Sequence, residues 1–162
     1  MKTAVLCNGN SRVMYHNQTN KYDYVIGCNI PWTQVDSTVI LDVEVLNKFE
    51  TPIKFYCSRN AWRELKNRDK FINYLIELFD PIQEYDSTGH AATRIVIQLG
   101  ATEVDVYGCD SLFVNNTDSY THQFVDSRSI DIGKNVIVWR SRWKELINNH
   151  PHIKFNFIGE PH

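Results

Sequence analysis

The sequence lacks the features that mark secreted, membrane-bound and zinc-binding chains. Its four cysteines are widely spaced and form no C-x-x-C pair, which argues against both a disulfide framework and a zinc site. The apolar runs are too short for a membrane span, and the first is too short for a signal peptide. We therefore expect a soluble, cytoplasmic protein that forms one domain over residues 1–162, with no membrane partner and no resident metal.

The common nucleotide-binding motifs are also missing. The chain has no G-x-G-x-x-G fingerprint and no Gly-Lys-Ser/Thr phosphate loop, so neither nicotinamide-linked redox chemistry nor ATP hydrolysis is favoured. The formal net charge of −2 gives the whole chain no long-range attraction to nucleic acid or acidic membranes. The apolar share of 43% and the aromatic share of 12% are typical of an ordinary globular protein.

Apolar runs alternate with stretches of helical spacing. The short runs are rich in β-branched and aromatic residues and predict strands at 3–7, 22–28, 37–43, 53–57, 103–107 and 153–158. Apolar residues at helical spacing predict helices over 68–79, 89–99 and 135–148. Alternating strands and helices favour an α/β fold, here a single Rossmann-like domain with a mainly parallel sheet flanked by helices.

Several of the apolar runs end in turns of small and polar residues. Cys7–Ser11 reads Cys-Asn-Gly-Asn-Ser, and the later runs end in Gly27–Asn29 and Gly108–Asp110. Small residues let the main chain approach a ligand, and a helix that follows directs its positive end to the same place. Ser87–Gly89 opens the predicted helix 89–99 and is a second candidate for such a contact, although capping of the helix explains it equally well.

The segment 110–134 differs from the rest of the chain. It is rich in Asn, Asp, Ser and Thr and follows directly on a predicted strand. A loop of this length is uncommon in a compact domain and is often functional. We interpret it as a lid over a site at the strand ends, and a long surface loop is the alternative.

The order of these motifs resembles the bacterial sialyltransferases and their relatives in the sialyltransferase-like Rossmann superfamily. The matching stretches are Cys7–Ser11, Gly27–Asn29, Ser87–Gly89 and Leu99–Asp110. The resemblance implies a glycosyltransferase that uses a nucleotide-sugar donor as co-substrate, with no further cofactor. It assigns donor binding to Asn8, Gly9, Asn10, Ser11, Asn29, Asp42, Ser87, Thr88, Gly89 and Tyr120.

The catalytic base is the least specified part of this prediction. The resembling family has a histidine shortly before the last helix, whereas the corresponding stretch here, 129–134, contains none. Three residues are candidates in falling order: Asp131 by position, His122 from the loop, and His90 in the first turn of the helix 89–99. A neutral histidine suits proton abstraction near pH 7 better than a carboxylate does.

The acceptor and one rival function stay open. The acceptor is a hydroxyl of a saccharide or of hydroxymethylated phage DNA, and a DNA acceptor would contact Arg140, Arg142 and Lys144, which are interleaved with tryptophans. An amphipathic helix with buried tryptophans explains that pattern as well. The rival function is a non-catalytic protein of the same fold that binds and sequesters a nucleotide. Transfer of diphosphate to a pterin is a third possibility, but we identify no magnesium site for it.

Overall fold

Seven parallel strands form one sheet in the computed structural model, which describes residues 1–82, 87–115, 118–125 and 132–159. The strands are β1 (Lys2–Leu6), β2 (Tyr24–Cys28), β3 (Ser37–Ile40), β4 (Lys54–Ser58), β5 (Ile76–Phe79), β6 (Glu103–Tyr107) and β7 (Lys154–Ile158). They lie in the order β5-β4-β3-β2-β1-β6-β7, and every adjacent pair is parallel. The predicted α/β class and parallel sheet are therefore confirmed.

Four α-helices connect the strands within the described residues. They are α1 (Val43–Lys48), α2 (Arg59–Glu64), α3 (Thr88–Gln98) and α4 (Ile132–Asn149). Four 3-10 helices lie at Asn10–Asn17, Asp69–Phe71, Asp110–Leu112 and Tyr120–Gln123. The two long helices were predicted to within a few residues, because each has a continuous apolar face at helical spacing and a stop signal, Gly100 after α3 and Pro151 after α4.

Each face of the sheet is covered by different elements. On one face, α3 and α4 pack against the central strands, with Trp143 of α4 and Ala92 of α3 in the core. On the other face, α1 and α2 cover the outer strands around Phe49 and Phe55. The middle of that second face is covered by side chains of loops and of a 3-10 helix, among them Tyr15 and Trp32. Both faces of the parallel strands are thereby buried, as this architecture requires.

The prediction of a helix over 68–79 is wrong. The structure has a 3-10 turn at Asp69–Phe71, followed by strand β5 at Ile76–Phe79. β5 pairs with β4 from Phe55↔Ile76 to Ser58↔Phe79. The apolar residues match both helical and strand spacing over so short a run, and pairing with β4 at the edge of the sheet decides between the two.

The segment 110–134 contains more regular structure than predicted. In its described part it holds two 3-10 helices, Asp110–Leu112 and Tyr120–Gln123, and α4 already begins at Ile132. Thr121 and Val125 are buried, so this part of the segment packs against the body of the domain.

None of the helices in the described residues is both long enough and apolar enough to cross a bilayer.

Candidate functional site

The order of the strands reverses at β1. β2 pairs with one side of β1 and β6 with the other, so Leu6 lies opposite both Gly27 and Tyr107. Because the connections leaving β1 and β6 run in opposite directions along the sheet, a crevice opens at the carboxyl ends of these strands. This is the place where open α/β sheets bind ligands, and it is where the sequence motifs meet.

A cleft of about 820 Å³ lies at this edge of the sheet. Its walls include Gly9 after β1, Asn29 after β2, Asp42 after β3, Gly89 of α3 and Asp110 after β6. The volume is within the range of small-molecule and cofactor sites, about 300–1,000 Å³. Ends of the four strands β1, β2, β3 and β6 and the start of one helix thus converge on one space.

Two glycines bring the turns after β1 and β6 into backbone contact. The Gly9 amide donates to the Gly108 carbonyl at 2.8 Å. A Cβ on Gly9 would lie 2.4 Å from that carbonyl oxygen, and a Cβ on Gly108 would lie 2.5 Å from the Cys7 carbonyl oxygen. Gly108 also has a φ of 72°, a conformation that glycine adopts without strain. This part of the site therefore requires glycine at both positions.

The start of α3 faces the same cleft. Ser87 caps the helix, because its hydroxyl accepts from the His90 amide at 3.2 Å and its carbonyl accepts from the Ala91 amide at 3.0 Å. Gly89 lies so close to β1 that a Cβ there would be 2.7 Å from the Cys7 sulfur. The amides of Thr88 and Gly89 precede the first intrahelical donor, so the helix offers them to a ligand.

Three thiols meet under the cleft, at the ends of β1, β2 and β6. Cys7, Cys28 and Cys109 are all buried. The hydrogen bond with Cys109 lowers the pKa of the Cys7 thiol, but the hydrogen bond with Cys28 and burial outweigh it and place that pKa well above the ordinary value. The hydrogen bond with Cys7 and burial likewise raise the pKa of Cys109. The raised pKa values keep the Cys7 and Cys109 thiols neutral, and a neutral thiol is a poor nucleophile.

Asn29 is held in an unusual conformation at the end of β2. Its φ of 61° lies in the left-handed region, which asparagine tolerates better than most residues. Its amide donates to the Val39 carbonyl at 2.8 Å, and its carbonyl accepts from the Thr38 hydroxyl at 2.7 Å. Its side-chain oxygen is buried and has no partner among the described residues. Asn29 therefore lines the cleft and carries a buried acceptor without a partner among the described residues.

Asn8 is buried next to the cleft, with 6% of its surface exposed. Its side-chain amide donates to the Cys28 carbonyl at 2.7 Å and to the Thr121 hydroxyl at 2.8 Å. The cleft wall includes its neighbours Cys7 and Gly9 but not Asn8 itself. The structure thus places this predicted donor-binding residue between the end of β2 and the segment 118–125.

The next predicted donor residues lie outside the wall of the cleft. The hydroxyl and the amide of Ser11 both donate to the Asp110 carboxylate. Asn10 is exposed at the start of the 3-10 helix. Of the four residues from Asn8 to Ser11, Gly9 alone is part of the described cleft lining.

The described lining of the cleft is acidic. It contains the carboxylates of Asp42, Glu44, Glu64, Asp110 and Asp118, whereas no lysine or arginine is among the described lining residues. Partial burial, followed by the charge of Glu44, raises the pKa of the Asp42 carboxyl above its ordinary value. Within the described residues, no group of three or more His, Cys, Asp or Glu side chains is arranged to hold a metal ion.

The three candidate bases have different surroundings. His122 lines the cleft, and its Nδ1 is buried without a hydrogen-bond partner among the described residues. His90 is 6% exposed; its Nδ1 accepts from Arg94 Nε at 3.3 Å, and its ring packs against Trp143. Asp131 lies outside the described residues. His122 is therefore the one candidate that the structure places in the wall of the cleft.

Tyr120 and two basic side chains of α4, those of Arg140 and Arg142, make contacts within the protein. The amide of Tyr120 donates to the Asn8 carbonyl at 2.8 Å, and its ring lies 5.4 Å from the guanidinium of Arg12. Arg140 donates to the Ser111 carbonyl at 2.7 Å, and Arg142 lies 4.0 Å from Glu145. Lys144 is exposed. A nucleic-acid acceptor on this helix stays a prediction.

The sequence matches no protein-family model and no curated protein. The geometry of the cleft is therefore the main indication of function.

Some lining residues were missed by sequence reasoning. Trp139 was read as a core or nucleic-acid-binding residue, yet it lines the cleft. Thr121 and Glu44 were not singled out, although both also line it. Only their proximity to predicted site residues could have indicated them in the sequence. Glu44 lies two residues after the predicted donor contact Asp42, and Thr121 directly precedes His122.

Proposed function

We propose that the cleft binds a nucleotide-sugar donor and that the protein transfers its glycosyl group to a hydroxyl acceptor. The observation that supports this most strongly is the convergence of four strand ends and the first turn of α3 on a single cleft of about 820 Å³. A nucleotide sugar is large enough to use such a space, and the ordered motifs Cys7–Ser11, Gly27–Asn29 and Ser87–Gly89 all lie at this edge of the sheet.

The charge of the cleft restricts where the donor phosphate lies. Five carboxylates without a lysine or arginine in the described lining make most of the wall unfavourable for an anion. The start of α3 is the exception, because the amides of Thr88 and Gly89 point out of the helix there. The phosphate of the donor therefore lies at the first turn of α3 beside Gly89, which lines the cleft, and the free amides there stabilise the charge that develops as the phosphate leaves.

His122 is the base in this proposal. It lines the cleft, and a neutral imidazole can take the proton of an acceptor hydroxyl. The bond from the acceptor oxygen to the anomeric carbon forms while the bond from that carbon to the phosphate oxygen breaks, with inversion. The proton goes to His122 and the electron pair goes to the phosphate. Asp131, which lies outside the described residues, is the second candidate.

Ligand-dependent thermal stability tests the donor site. A panel of nucleotides and nucleotide sugars should contain at least one compound that raises the melting temperature, because a ligand of the folded state stabilises it by mass action. The proposal fails if none does so at millimolar concentration. The best compound is then incubated with the protein together with saccharide and hydroxymethylated DNA acceptors, and release of the free nucleotide is measured. Tight binding without release favours the rival function, sequestration of a nucleotide.

Gly89→Ala is the matched variant for the phosphate contact. Its Cβ would meet the Cys7 sulfur at 2.7 Å and would move the first turn of α3. We expect donor binding to weaken by at least about tenfold, the effect of losing about 1.4 kcal/mol of binding free energy. Gly100→Ala, at the other end of α3 and with open space around it, is the control for a loss of stability alone.

A further inference from the structure

Asn8 connects three separate parts of the chain. The residue follows β1, its side-chain amide donates to Cys28 at the end of β2, and the same amide donates to Thr121 in the segment 118–125. Its carbonyl accepts from the amide of Tyr120 at 2.8 Å. Both N–H donors of the side chain are thereby used, and 6% of the residue is exposed.

These contacts fix the segment that carries His122. Tyr120 and Thr121 are the two residues directly before His122, and both are hydrogen-bonded to Asn8. The bond to Thr121 is buried and spans 113 positions of sequence. Within the segment, the His122 amide donates to the Ser119 carbonyl at 3.1 Å and closes the 3-10 turn. The position of the imidazole therefore depends on where Asn8 holds this turn.

We propose that Asn8 is a positioning residue, which holds His122 in the wall of the cleft, and not a contact to the donor. The proposal rests on the proposed function to the extent that His122 is the base there. Three observations support it: Asn8 is absent from the described lining, its two N–H groups are already taken, and both contacts to the segment 118–125 precede His122 directly. A base moved by about 1 Å can lose about 100-fold in rate.

The resulting role differs from that of a donor contact in a measurable way. If Asn8 positions the base, its removal lowers the transfer rate and leaves donor affinity nearly unchanged. If Asn8 binds the nucleotide, its removal weakens donor binding and leaves the segment 118–125 in place. Both roles lower activity, so activity alone does not separate them.

Asn8→Ala and Thr121→Val remove the two partners of the same hydrogen bond. Thr121→Val keeps the shape of the side chain and carries the test if Asn8→Ala does not fold. Amide hydrogen exchange is measured at 121–125, and the carbon-bound ring protons of His122 are followed by NMR in the free protein. Asn67→Ala, a change of the same kind at an exposed position, is the control.

We expect both variants to speed exchange at 121–125 by at least about tenfold and to shift the His122 ring signals, with no such change in Asn67→Ala. The double variant should be no worse than Asn8→Ala, because Asn8→Ala already removes the hydrogen bond that Thr121→Val removes. With a donor identified, kcat of Asn8→Ala should fall by about 100-fold while its donor affinity changes less than threefold.

Two results would overturn the proposal. One is unchanged exchange and unchanged His122 signals in both variants. The other is a loss of donor affinity of tenfold or more in Asn8→Ala while the segment exchanges as in the wild type. If the wild-type protein binds no nucleotide sugar, the proposed function fails. The exchange and ring measurements on the free protein then still decide whether Asn8 holds the His122 turn.

Discussion

The Asp110 carboxylate accepts hydrogen bonds from both the backbone amide and the hydroxyl of Ser11, a residue 99 positions earlier in the chain. This contact joins the turn after β1 to the turn after β6, on either side of the cleft floor. It also uses the hydroxyl that the sequence resemblance assigned to a nucleotide. Asp110 thus has a structural role in the free protein.

Removing this contact should lower stability. Ser11→Ala and Asp110→Asn should each lower the free energy of unfolding by about 1–2 kcal/mol, since hydrogen bonds to charged groups contribute about 1.5–3 kcal/mol and both residues are partly exposed. Urea denaturation measures the change. The double variant should lose no more than the worse single variant. If Ser11→Ala is as stable as the wild type but binds the donor more weakly, the hydroxyl belongs to the donor site after all.

Substitution of Gly108 should be far more damaging than substitution of Gly100. Both have a positive φ, 72° and 105° respectively, so alanine brings backbone strain of about 1–3 kcal/mol at either position. At Gly108 the new Cβ also lies 2.5 Å from the Cys7 carbonyl oxygen, whereas at Gly100 no heavy atom is within 4 Å. We expect an additional loss of about 1–3 kcal/mol for Gly108→Ala, measured by urea denaturation. Equal losses of stability in Gly108→Ala and Gly100→Ala would show that the turn after β6 can move away from the turn after β1.

Asp42 should lower stability at neutral pH. Its pKa in the folded protein is raised above the ordinary value of 3.8 by partial burial and by Glu44. At a pH between the ordinary pKa of the unfolded state and the raised pKa of the folded state, the folded protein binds more protons than the unfolded protein. Stability therefore falls as pH rises through the raised pKa. Asp42→Asn should therefore raise the melting temperature at pH 7, by an amount equivalent to at most about 1 kcal/mol given the exposure of the residue.

The pH dependence provides the control for this prediction. The difference in stability between Asp42→Asn and the wild type should shrink as pH falls towards 3.8, because the Asp42 carboxyl then becomes protonated in both the folded and the unfolded state. Glu44→Gln should produce part of the same gain, since it removes the second cause of the shift. A wild type more stable than Asp42→Asn at pH 7 would show that the carboxylate has a favourable partner.

The buried thiols should resist alkylation in the folded protein. The hydrogen bond with Cys28 and burial raise the pKa of Cys7, and the hydrogen bond with Cys7 and burial raise the pKa of Cys109. Burial raises the pKa of Cys57 to about 12. The thiolate is the reactive form. Iodoacetamide at pH 8 should label the native protein at least about 100-fold more slowly than free cysteine, and mass spectrometry counts the adducts. In urea all four cysteines should react. Rapid native labelling of Cys7 would mean that the floor of the cleft opens.

His122→Gln should reduce glycosyl transfer without weakening donor binding. General base catalysis contributes about 10²–10⁴-fold, so we expect kcat to fall by at least about 100-fold. His152→Gln, at an exposed position between α4 and β7, is the matched control and should keep full activity. Asp131→Asn distinguishes the second candidate base. If His122→Gln keeps its rate and Asp131→Asn loses it, the base is Asp131.

The central strands and the two long helices could be predicted because their patterns are unambiguous. β6 was predicted with its observed bounds, 103–107, and α3 to within one residue at each end. The edge of the sheet could not be predicted in the same way. The run 68–79 satisfies both spacings, and only pairing with Phe55–Ser58 of β4 makes Ile76–Phe79 a strand.

The position of the site could also be predicted, but the use of individual side chains could not. Gly9, Asn29, Asp42, Ser87, Gly89 and His122 do lie in the wall of one cleft. The partners of Asn8 and Ser11 are Thr121 and Asp110, which lie about a hundred positions away and are brought near only by the pairing of β1 with β6. No local pattern could indicate those hydrogen bonds.

The central position of β1 has a consequence for the order in which the protein is assembled. The pairing of Thr3 with Val104 closes a loop of about a hundred residues, whereas β1 to β5 pair with successive neighbours. The chain loses the entropy of closing this loop before the contacts between β1 and β6 stabilise the structure, so this pairing is a slow step. A nascent chain that has emerged only as far as β5 already has five strands of the sheet but lacks one wall of the cleft. Ligand binding thus becomes possible only after synthesis has passed Trp139, the last residue of the described cleft lining.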